Sequence, residues 1–251
     1  MRSLIVRIPY TLIAYPLAAG VWVVGPAMTI IGYGIGSKKV GSWAAKKIYG
    51  GLSMLISMAS VEIEGLEYLE YDGSMVMTPN HSGILEYPLL YAYIPRSVHF
   101  IAKEGFRRIP FLGKAMEMAG NIFIARNKSD VAKLQSEEET IINEKKLVVA
   151  YPEGTRTRDP KQRIGPFKKG PFVLAIRTQS PVVPMVITGI ADFLPADHWL
   201  MNPAPRIRMK ILPPIPTRGM TYADREQLHD EVRGLMIEAH KQIGGAGGMP
   251  P

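Results

Sequence analysis

The sequence predicts an α/β domain with a mixed, mostly parallel sheet flanked by helices, preceded by a membrane-embedded helical segment. Two observations predict this class. After Ser60, short apolar runs of strand length alternate with segments of helical length, which is the pattern of an α/β sheet. Before Ser60, no charged residue occurs from Ile8 to Ser37, a run longer than the roughly 20 residues that span a bilayer core. The expected divisions are membrane-anchoring helices over 1–59, an α/β domain over 60–245 and a flexible tail over 246–251.

The apolar N-terminal run carries basic residues on both flanks, which are Arg2, Arg7, Lys38, Lys39, Lys46 and Lys47. Pro9, Pro16 and Pro26 interrupt the run, so a straight single span and a broken, re-entrant helix pair both fit. The segment 42–60 alternates apolar and basic residues, as a helix lying in a membrane interface does. Because positive flanks stay on the cytoplasmic side, we expect a membrane location with the rest of the chain facing the cytoplasm.

The predicted strands of the α/β domain are short and apolar. They lie at 61–69, 74–80, 98–103, 120–126, 147–151, 181–189 and 206–212. The predicted helices lie at 84–94, 111–118, 129–143 and 170–179, and a final apolar stripe runs from Leu228 to Ile243. His229 and His240 on that last helix are expected at the surface.

The composition excludes several kinds of chemistry. The chain has no cysteine, so disulfides, a thiolate nucleophile and Cys-based zinc sites are excluded. The five histidines show neither an HExxH pattern nor carboxylates at ligand spacing, so we expect no metal site. The net charge of +8 suits nucleic acid, a membrane surface or an acidic small molecule. Aromatic residues are 8% of the chain and concentrate in apolar segments, which disfavours nucleic acid as a partner.

The first candidate site is His81, which follows a buried strand, with Glu86 five residues later. In a regular helix, residues five apart do not share a face. If His81 lies in a loop and Glu86 in the first helical turn, the carboxylate can reach back to one ring nitrogen and leave the other as a base. The spacing alone leaves open that His81 is a structural loop histidine with an unrelated glutamate.

Basic residues follow three further strands or turns. Lys103 and Arg126 flank apolar stretches, and Arg156 follows a strand that ends in Pro-Glu-Gly. Guanidinium and ammonium groups at such places can bind a phosphate, although solvated surface charge gives the same pattern. The spacing GxxxxGK[ST] of a P-loop is missing, and no Gly-rich dinucleotide fingerprint follows a strand.

Taken together and in order, these stretches resemble the glycerolipid acyltransferase family, in particular its lysophosphatidic acid acyltransferase group. The matching stretches are NHSGILE at 80–86, KE at 103–104 with PFLG at 110–113 and GNIFIAR at 120–126, YPEGTRT at 151–157 with FKKG at 167–170, and the Val-Pro pair at 183–184. Two positions depart from the family pattern. Glu86 stands in place of Asp, and Gly83 stands where Ser is common.

The resemblance implies a membrane-bound acyltransferase that moves a fatty acyl group from acyl-CoA or acyl carrier protein to lysophosphatidic acid, giving phosphatidic acid without a cofactor. It implies His81 and Glu86 as the catalytic pair. The substrate-binding residues that it implies are Lys103, Arg126, Glu153, Gly154, Thr155, Arg156 and Lys168. We expect a backbone N–H near Gly154 or Thr155 to stabilise the oxyanion, and Glu153 to position Arg156 or the acceptor's hydroxyls.

Two alternatives stay open at this point. The Glu86 departure is compatible with another acceptor, such as glycerol 3-phosphate, another lysophospholipid, a glycolipid or an amino-lipid. A membrane-bound lipid-binding protein without catalysis is the alternative from a different class, and the joint presence of His81, Glu86, Glu153 and Arg156 argues against it.

Overall fold

A computed structural model describes residues 3–124, 131–159, 161–195 and 198–249, with the side chains of 131–136 outside the description. The chain divides into two compact units. The first comprises Met1–Ser60, Gly83–Arg126 and Gly189–Arg206, and the second comprises Val61–Ser82, Asn127–Thr188 and Ile207–Pro251. The N-terminal helices share their unit with two later segments of the chain, and the expected domain boundary between residues 59 and 60 stays a prediction.

The helices and strands follow the predicted order. The helices are α1 (Leu4–Gly34), α2 (Lys38–Trp43), α3 (Leu52–Ser57), α4 (Glu86–Tyr93), α5 (Leu112–Met118), α6 (Val131–Asn143), α7 (Gly170–Arg177), α8 (Ile190–Phe193) and α9 (Arg225–Gln242), with a π-helix at Ala44–Gly51. The strands are β1 (Ser60–Glu64), β2 (Met75–Pro79), β3 (Val98–Lys103), β4 (Ile122–Ile124), β5 (Leu147–Val149), β6 (Val182–Thr188) and β7 (Arg206–Ile211). The strands and helices predicted after Ser60 are confirmed within the described residues, with one exception: the strand predicted at 61–69 ends at Glu64, and Leu66–Leu69 form a 3-10 helix.

The first unit contains an antiparallel helical hairpin, residues 4–57, which we call the N-terminal hairpin. Its first arm, α1, is one unbroken helix despite its three prolines, so the run 8–37 does not form a helix pair by itself. The second arm consists of α2, the π-helix and α3 in succession. The arms touch closely at glycines: a Cβ on Gly32 would lie 2.5 Å from the Gly41 nitrogen, and one on Gly25 would lie 2.8 Å from the Tyr49 Cβ.

Among the described helices, α1 is the one whose length and composition would let it cross a membrane. It is 31 residues long, and 28% of its most apolar 18-residue stretch is buried. In the same unit, strands β3 and β4 pair in parallel.

The second unit contains a mixed sheet in the order β1-β7-β6-β2-β5. Strand β2 pairs in parallel with β5 and with β6, and β6 pairs antiparallel with β7. Every residue of β2 is buried, as expected of a central strand in a mostly parallel sheet. The predicted mixed, mostly parallel α/β class is confirmed, and the carboxyl end of β2 leads directly into the candidate site.

The segment expected to be a flexible tail makes backbone hydrogen bonds over its described residues. Ile164 N–H donates to Gly247 O at 2.8 Å, and Met249 N–H donates to Ile164 O at 2.8 Å. His240, expected at the surface, is 1% exposed, and its Nδ1 accepts the N–H of Gly247 at 3.2 Å. Residues 247–249 are therefore held in place by hydrogen bonds, because their backbone groups find partners on the loop at Ile164 and on α9.

Candidate active site

Asn80 fixes the point at which the chain leaves strand β2. The side chain is buried, its Nδ2 donates to Ile187 O at 3.0 Å, and its Oδ1 accepts the Ile187 N–H at 2.7 Å. A side-chain amide thereby replaces a peptide group in the pairing with β6, so both polar groups of Ile187 stay satisfied. The next residue, His81, starts from a position that is tied to the sheet.

His81 is half-buried and is held through its backbone. Its N–H donates to Glu153 Oε1 at 2.8 Å, and its carbonyl accepts the N–H of Thr157 at 2.8 Å. The imidazole stacks on the ring of Tyr151, with centroids 4.2 Å apart and an angle of 27° between the planes. The arrangement fixes the direction of the ring, which is the requirement for a positioned proton acceptor.

Glu153 organises the loops around His81. It is 7% exposed, and its second oxygen, Oε2, accepts the N–H of Gly165 at 3.1 Å. Hydrogen bonds from backbone N–H groups to a carboxylate are charge-assisted and therefore among the stronger ones in proteins. The expectation that Glu153 positions Arg156 or the acceptor's hydroxyls stays a prediction; in addition, its carboxylate joins the backbone of His81 to that of Gly165.

The turn that follows Glu153 presents cations to solvent. Gly154 adopts φ +67°, a conformation that favours glycine, and its N–H donates to Tyr151 O at 3.1 Å. The ammonium of Lys168 lies over this turn, since a Cβ on Gly154 would be 3.0 Å from Lys168 Nζ. Thr155 and Arg156 are exposed on the same turn. The predicted site residues that belong to the second unit are His81, Glu153, Gly154, Thr155, Arg156 and Lys168.

Glu86 belongs to the first unit and is the first residue of α4. It is fully buried, and its Oε1 accepts the N–H of Gly83 at 2.7 Å. The N-cap residue Leu85 makes no side-chain cap, so the carboxylate of Glu86 is the anionic group at the positive end of this helix.

Gly83 has a packing reason to lack a side chain. A Cβ at this position would lie 2.5 Å from Ile190 Cγ2. The branch methyl of isoleucine is stiff and cannot swing aside freely. The departure at Gly83 is therefore matched by the residue packed against it within the same unit.

Of the two further predicted residues, one belongs to the first unit and the other is not described. Lys103 is exposed at the end of β3 in the first unit, in register with Ile124 of β4. Arg126 lies outside the described residues.

Sequence reasoning did not assign roles to Tyr151 and Gly165. Tyr151 directly precedes the Pro-Glu-Gly turn. An aromatic residue at the end of a strand that leads into a candidate site was a signal that this ring could contact a site residue. Gly165 carries no such signal, because its contact with Glu153 depends on how the intervening loop folds.

Comparisons with known proteins bear on this site. The family model described as Acyltransferase matches residues 60–188, a stretch that contains His81, Glu86 and the 151–157 turn. The 1-acyl-sn-glycerol-3-phosphate acyltransferase of Saccharomyces cerevisiae is 28% identical over 212 residues, covering 84% of this chain and 69% of the yeast protein. The 1-acyl-sn-glycerol-3-phosphate acyltransferase alpha of Mus musculus is 30% identical over 201 residues, covering 79% of this chain and 67% of the mouse protein.

A solved structure shares the fold. The crystal structure of the 1-acyl-sn-glycerophosphate acyltransferase PlsC from Thermotoga maritima superposes with a TM-score of 0.79 at 23% sequence identity. The match covers 95% of this chain and 96% of that chain. It therefore supports the α/β architecture over nearly the whole length, the N-terminal hairpin included.

Proposed function

Since the chain belongs to the acyltransferase family, we propose that it transfers a fatty acyl group from acyl-CoA or acyl carrier protein to the free hydroxyl of lysophosphatidic acid. The product is phosphatidic acid. The names of the yeast and mouse relatives support this acceptor. The observation that carries the proposal is the fixed placement of His81, whose N–H is bonded to Glu153 and whose ring stacks on the ring of Tyr151.

His81 is the general base of the proposed reaction, and Glu86 is its supporting carboxylate. One ring nitrogen of His81 takes the proton of the acceptor hydroxyl, and Glu86 holds the other and stabilises the imidazolium. The alkoxide oxygen attacks the thioester carbonyl and the ester C–O bond forms. The C–S bond then breaks, and the sulfur leaves with the electron pair as a thiolate. The spacing of the two residues and the burial of Glu86 at the start of α4 support these roles.

The oxyanion formed in this reaction needs a backbone donor. Of the two N–H groups left open by the sequence, that of Gly154 donates to Tyr151 O. We therefore assign the role to the N–H of Thr155, on the exposed turn beside His81.

In this proposal, cationic side chains of the protein bind the acceptor phosphate. Arg156 supplies a planar guanidinium that suits bidentate binding of a phosphate, and Lys168 adds an ammonium over the Gly154 turn. Lys103 and Arg126 complete the set on the basis of the family motif. The exposure of Arg156 and Lys168 in the same unit as His81 supports the assignment.

The N-terminal hairpin anchors the enzyme to a phospholipid membrane in this proposal. Most of the apolar stretch of α1 is unburied within the protein, and the exposed residues include Ile5, Leu12, Ile13 and Ile35. A lipid environment would remove this surface from water. The cytoplasmic orientation of the active site is part of this proposal and rests on the basic residues that flank the apolar run in the sequence.

A second candidate is the same chemistry on another acceptor. Glu86 and Gly83 both depart from the family pattern within one motif, and this favours testing glycerol 3-phosphate, other lysophospholipids, a glycolipid and an amino-lipid. Donor, base and membrane location stay the same in this alternative.

An acceptor panel tests the function. The purified protein in detergent is offered each acceptor with a long-chain acyl-CoA and then with an acyl carrier protein thioester, and products are identified by mass spectrometry. His81→Ala serves as the blank. We expect phosphatidic acid from lysophosphatidic acid with the wild type and none with the variant. Acylation of another acceptor alone would establish the alternative, and no product with any acceptor from folded protein would refute the acyltransferase assignment.

A further inference from the structure

Helix α4, which begins with Glu86, is held between two elements of the first unit. The rings of Tyr87 and Tyr91 lie 4.7 and 5.3 Å from the ring of Phe100 in β3. The π-helix in the second arm of the N-terminal hairpin also packs against α4. The helix has only 8 residues, so we expect a shift of its backbone at Pro88 or Ala92 to displace Glu86 as well.

Gly50 of the π-helix makes the tightest of these contacts. A Cβ at Gly50 would lie 2.8 Å from the Ala92 nitrogen and 2.9 Å from the Pro88 carbonyl oxygen. Both are backbone atoms of α4, so neither can move without moving the helix. Beside this contact, the buried ring of Tyr49 meets the ring of Tyr91 edge-on, with centroids 5.8 Å apart.

Lys46, one helical turn before Gly50, holds the carboxyl end of α4. Its Nζ donates to Ile94 O at 3.2 Å and to Pro95 O at 2.7 Å. Ile94 is the C-cap residue of α4, where carbonyl groups have no partner within the helix. A cation at this end also opposes the negative pole of the helix.

We propose that Gly50 and Lys46 are positioning residues, and that the N-terminal hairpin sets the place of the Glu86 carboxylate in addition to anchoring the enzyme. The inference rests on the role proposed above for Glu86. The π-helix carries Lys46, Tyr49 and Gly50, which all contact α4 or its C-cap, and π-helical segments occur often at functional sites.

The expected displacement is large enough to matter. Ordinary contacts of a Cβ begin at 3.4 Å, so alanine at position 50 forces α4 away by about half an ångström, which is the tolerance of a catalytic constellation. A misplacement of about 1 Å costs about a hundredfold in rate, so we expect a loss of about tenfold in kcat.

The matched pair Gly50→Ala and Gly51→Ala tests the inference. A Cβ on Gly51 would meet only Lys46 O, at 3.6 Å, which is ordinary contact. Both variants are made in the full chain and placed in vesicles of phosphatidylcholine and phosphatidylglycerol. We expect Gly50→Ala to lose about tenfold in kcat, with the acceptor KM and the vesicle-bound fraction unchanged. Gly51→Ala is expected to behave as the wild type.

Two readouts separate positioning from a general structural effect. The pH–rate profile of Gly50→Ala should move in the same direction as that of Glu86→Gln. The Gly83 N–H donates a hydrogen bond to Glu86 Oε1 in the wild type. Hydrogen exchange at this amide should accelerate in Gly50→Ala and not in Gly51→Ala. Equal kcat and equal Gly83 exchange in the two alanine variants would overturn the inference.

A second pair covers the case in which Gly50→Ala fails to fold. Lys46→Met removes the cap on α4 without adding bulk against it, and Lys47→Met changes the exposed neighbour. We expect only Lys46→Met to accelerate Gly83 exchange, and equal exchange in both would refute the inference. If the wild type acylates no acceptor, the proposed function fails, and the exchange comparison still decides whether the hairpin positions Glu86.

Discussion

The carboxylate of Glu153 accepts the backbone N–H of His81 at 2.8 Å, across 72 positions of sequence. Its other oxygen accepts the N–H of Gly165. One buried carboxylate therefore joins the loop after β2 to the loop after β5. The proposed base, His81, is one of the two residues whose backbone it binds.

Glu153→Gln should impair both stability and catalysis. A carboxamide can accept only one of the two N–H groups and turns a donor toward the other, which leaves a buried group unsatisfied at a cost of about 1–3 kcal/mol. We expect a lower unfolding midpoint and a fall in kcat of about tenfold or more. Thermal unfolding and initial rates measure the two effects, with the exposed Glu67→Gln as control. Wild-type values in Glu153→Gln would contradict the junction role.

Gly83 and Ile190 should couple in stability. Gly83→Ala places a Cβ against the Ile190 Cγ2 and should destabilise the protein by about 1–3 kcal/mol, as overpacking does. Ile190→Ala removes that methyl and should relieve the alanine at position 83, whereas Ile190→Val keeps it and should not. Denaturant unfolding of the single and double variants gives the coupling energy. Additive effects with Ile190→Ala would show that the two side chains do not meet.

Arg156→Ala should weaken binding of the acceptor rather than the chemistry. A hydrogen bond to a charged group contributes about 1.5–3 kcal/mol, so we expect the acceptor KM to rise about tenfold to a hundredfold with little change in kcat. The neighbouring Arg158→Ala is the control, since Arg158 is equally exposed two residues away. Equal acceptor KM values for the two variants would show that Arg156 does not bind the acceptor phosphate.

His240 should make the stability depend on pH. Burial lowers the pKa of His240 from its ordinary value of 6.5. Because the folded-state pKa lies below the unfolded one, stability is full above about pH 6.5 and falls as the pH drops from there toward the folded pKa. His240→Asn keeps an acceptor for the Gly247 N–H without a titrating ring, so its unfolding midpoint should fall less between about pH 6.5 and pH 5.5. Parallel pH curves for the variant and the wild type would refute this.

The sequence predicted the framework of this protein well, for identifiable reasons. The buried strand before His81 and the helix after it were readable from apolar length and period, and the loop position of His81 followed from them. Contacts between distant loops were not readable in this way. Glu153 reaches Gly165 only because the loop between them folds back.

The last helix shows a second limit of sequence reasoning. Its apolar stripe predicted Leu235 on the buried face and His240 at the surface. The structure leaves Leu235 45% exposed and buries His240. The reason is the chain end: a Cβ on Gly245 would lie 2.3 Å from the His240 ring, so the backbone of this segment covers the histidine. Periodicity describes one helix face and has no information about a segment that later folds over it.

The central claim is that His81 is the base of an acyl transfer, and its most direct test is the kcat of His81→Ala beside that of His198→Ala. His198 is an exposed histidine outside all of the matched motifs. Both are measured with saturating thioester and acceptor on protein shown to be folded by its unfolding midpoint. The loss of a general base predicts a fall of about 10²–10⁴-fold for His81→Ala and no change for His198→Ala. A kcat for His81→Ala within a few-fold of the wild type would contradict the claim.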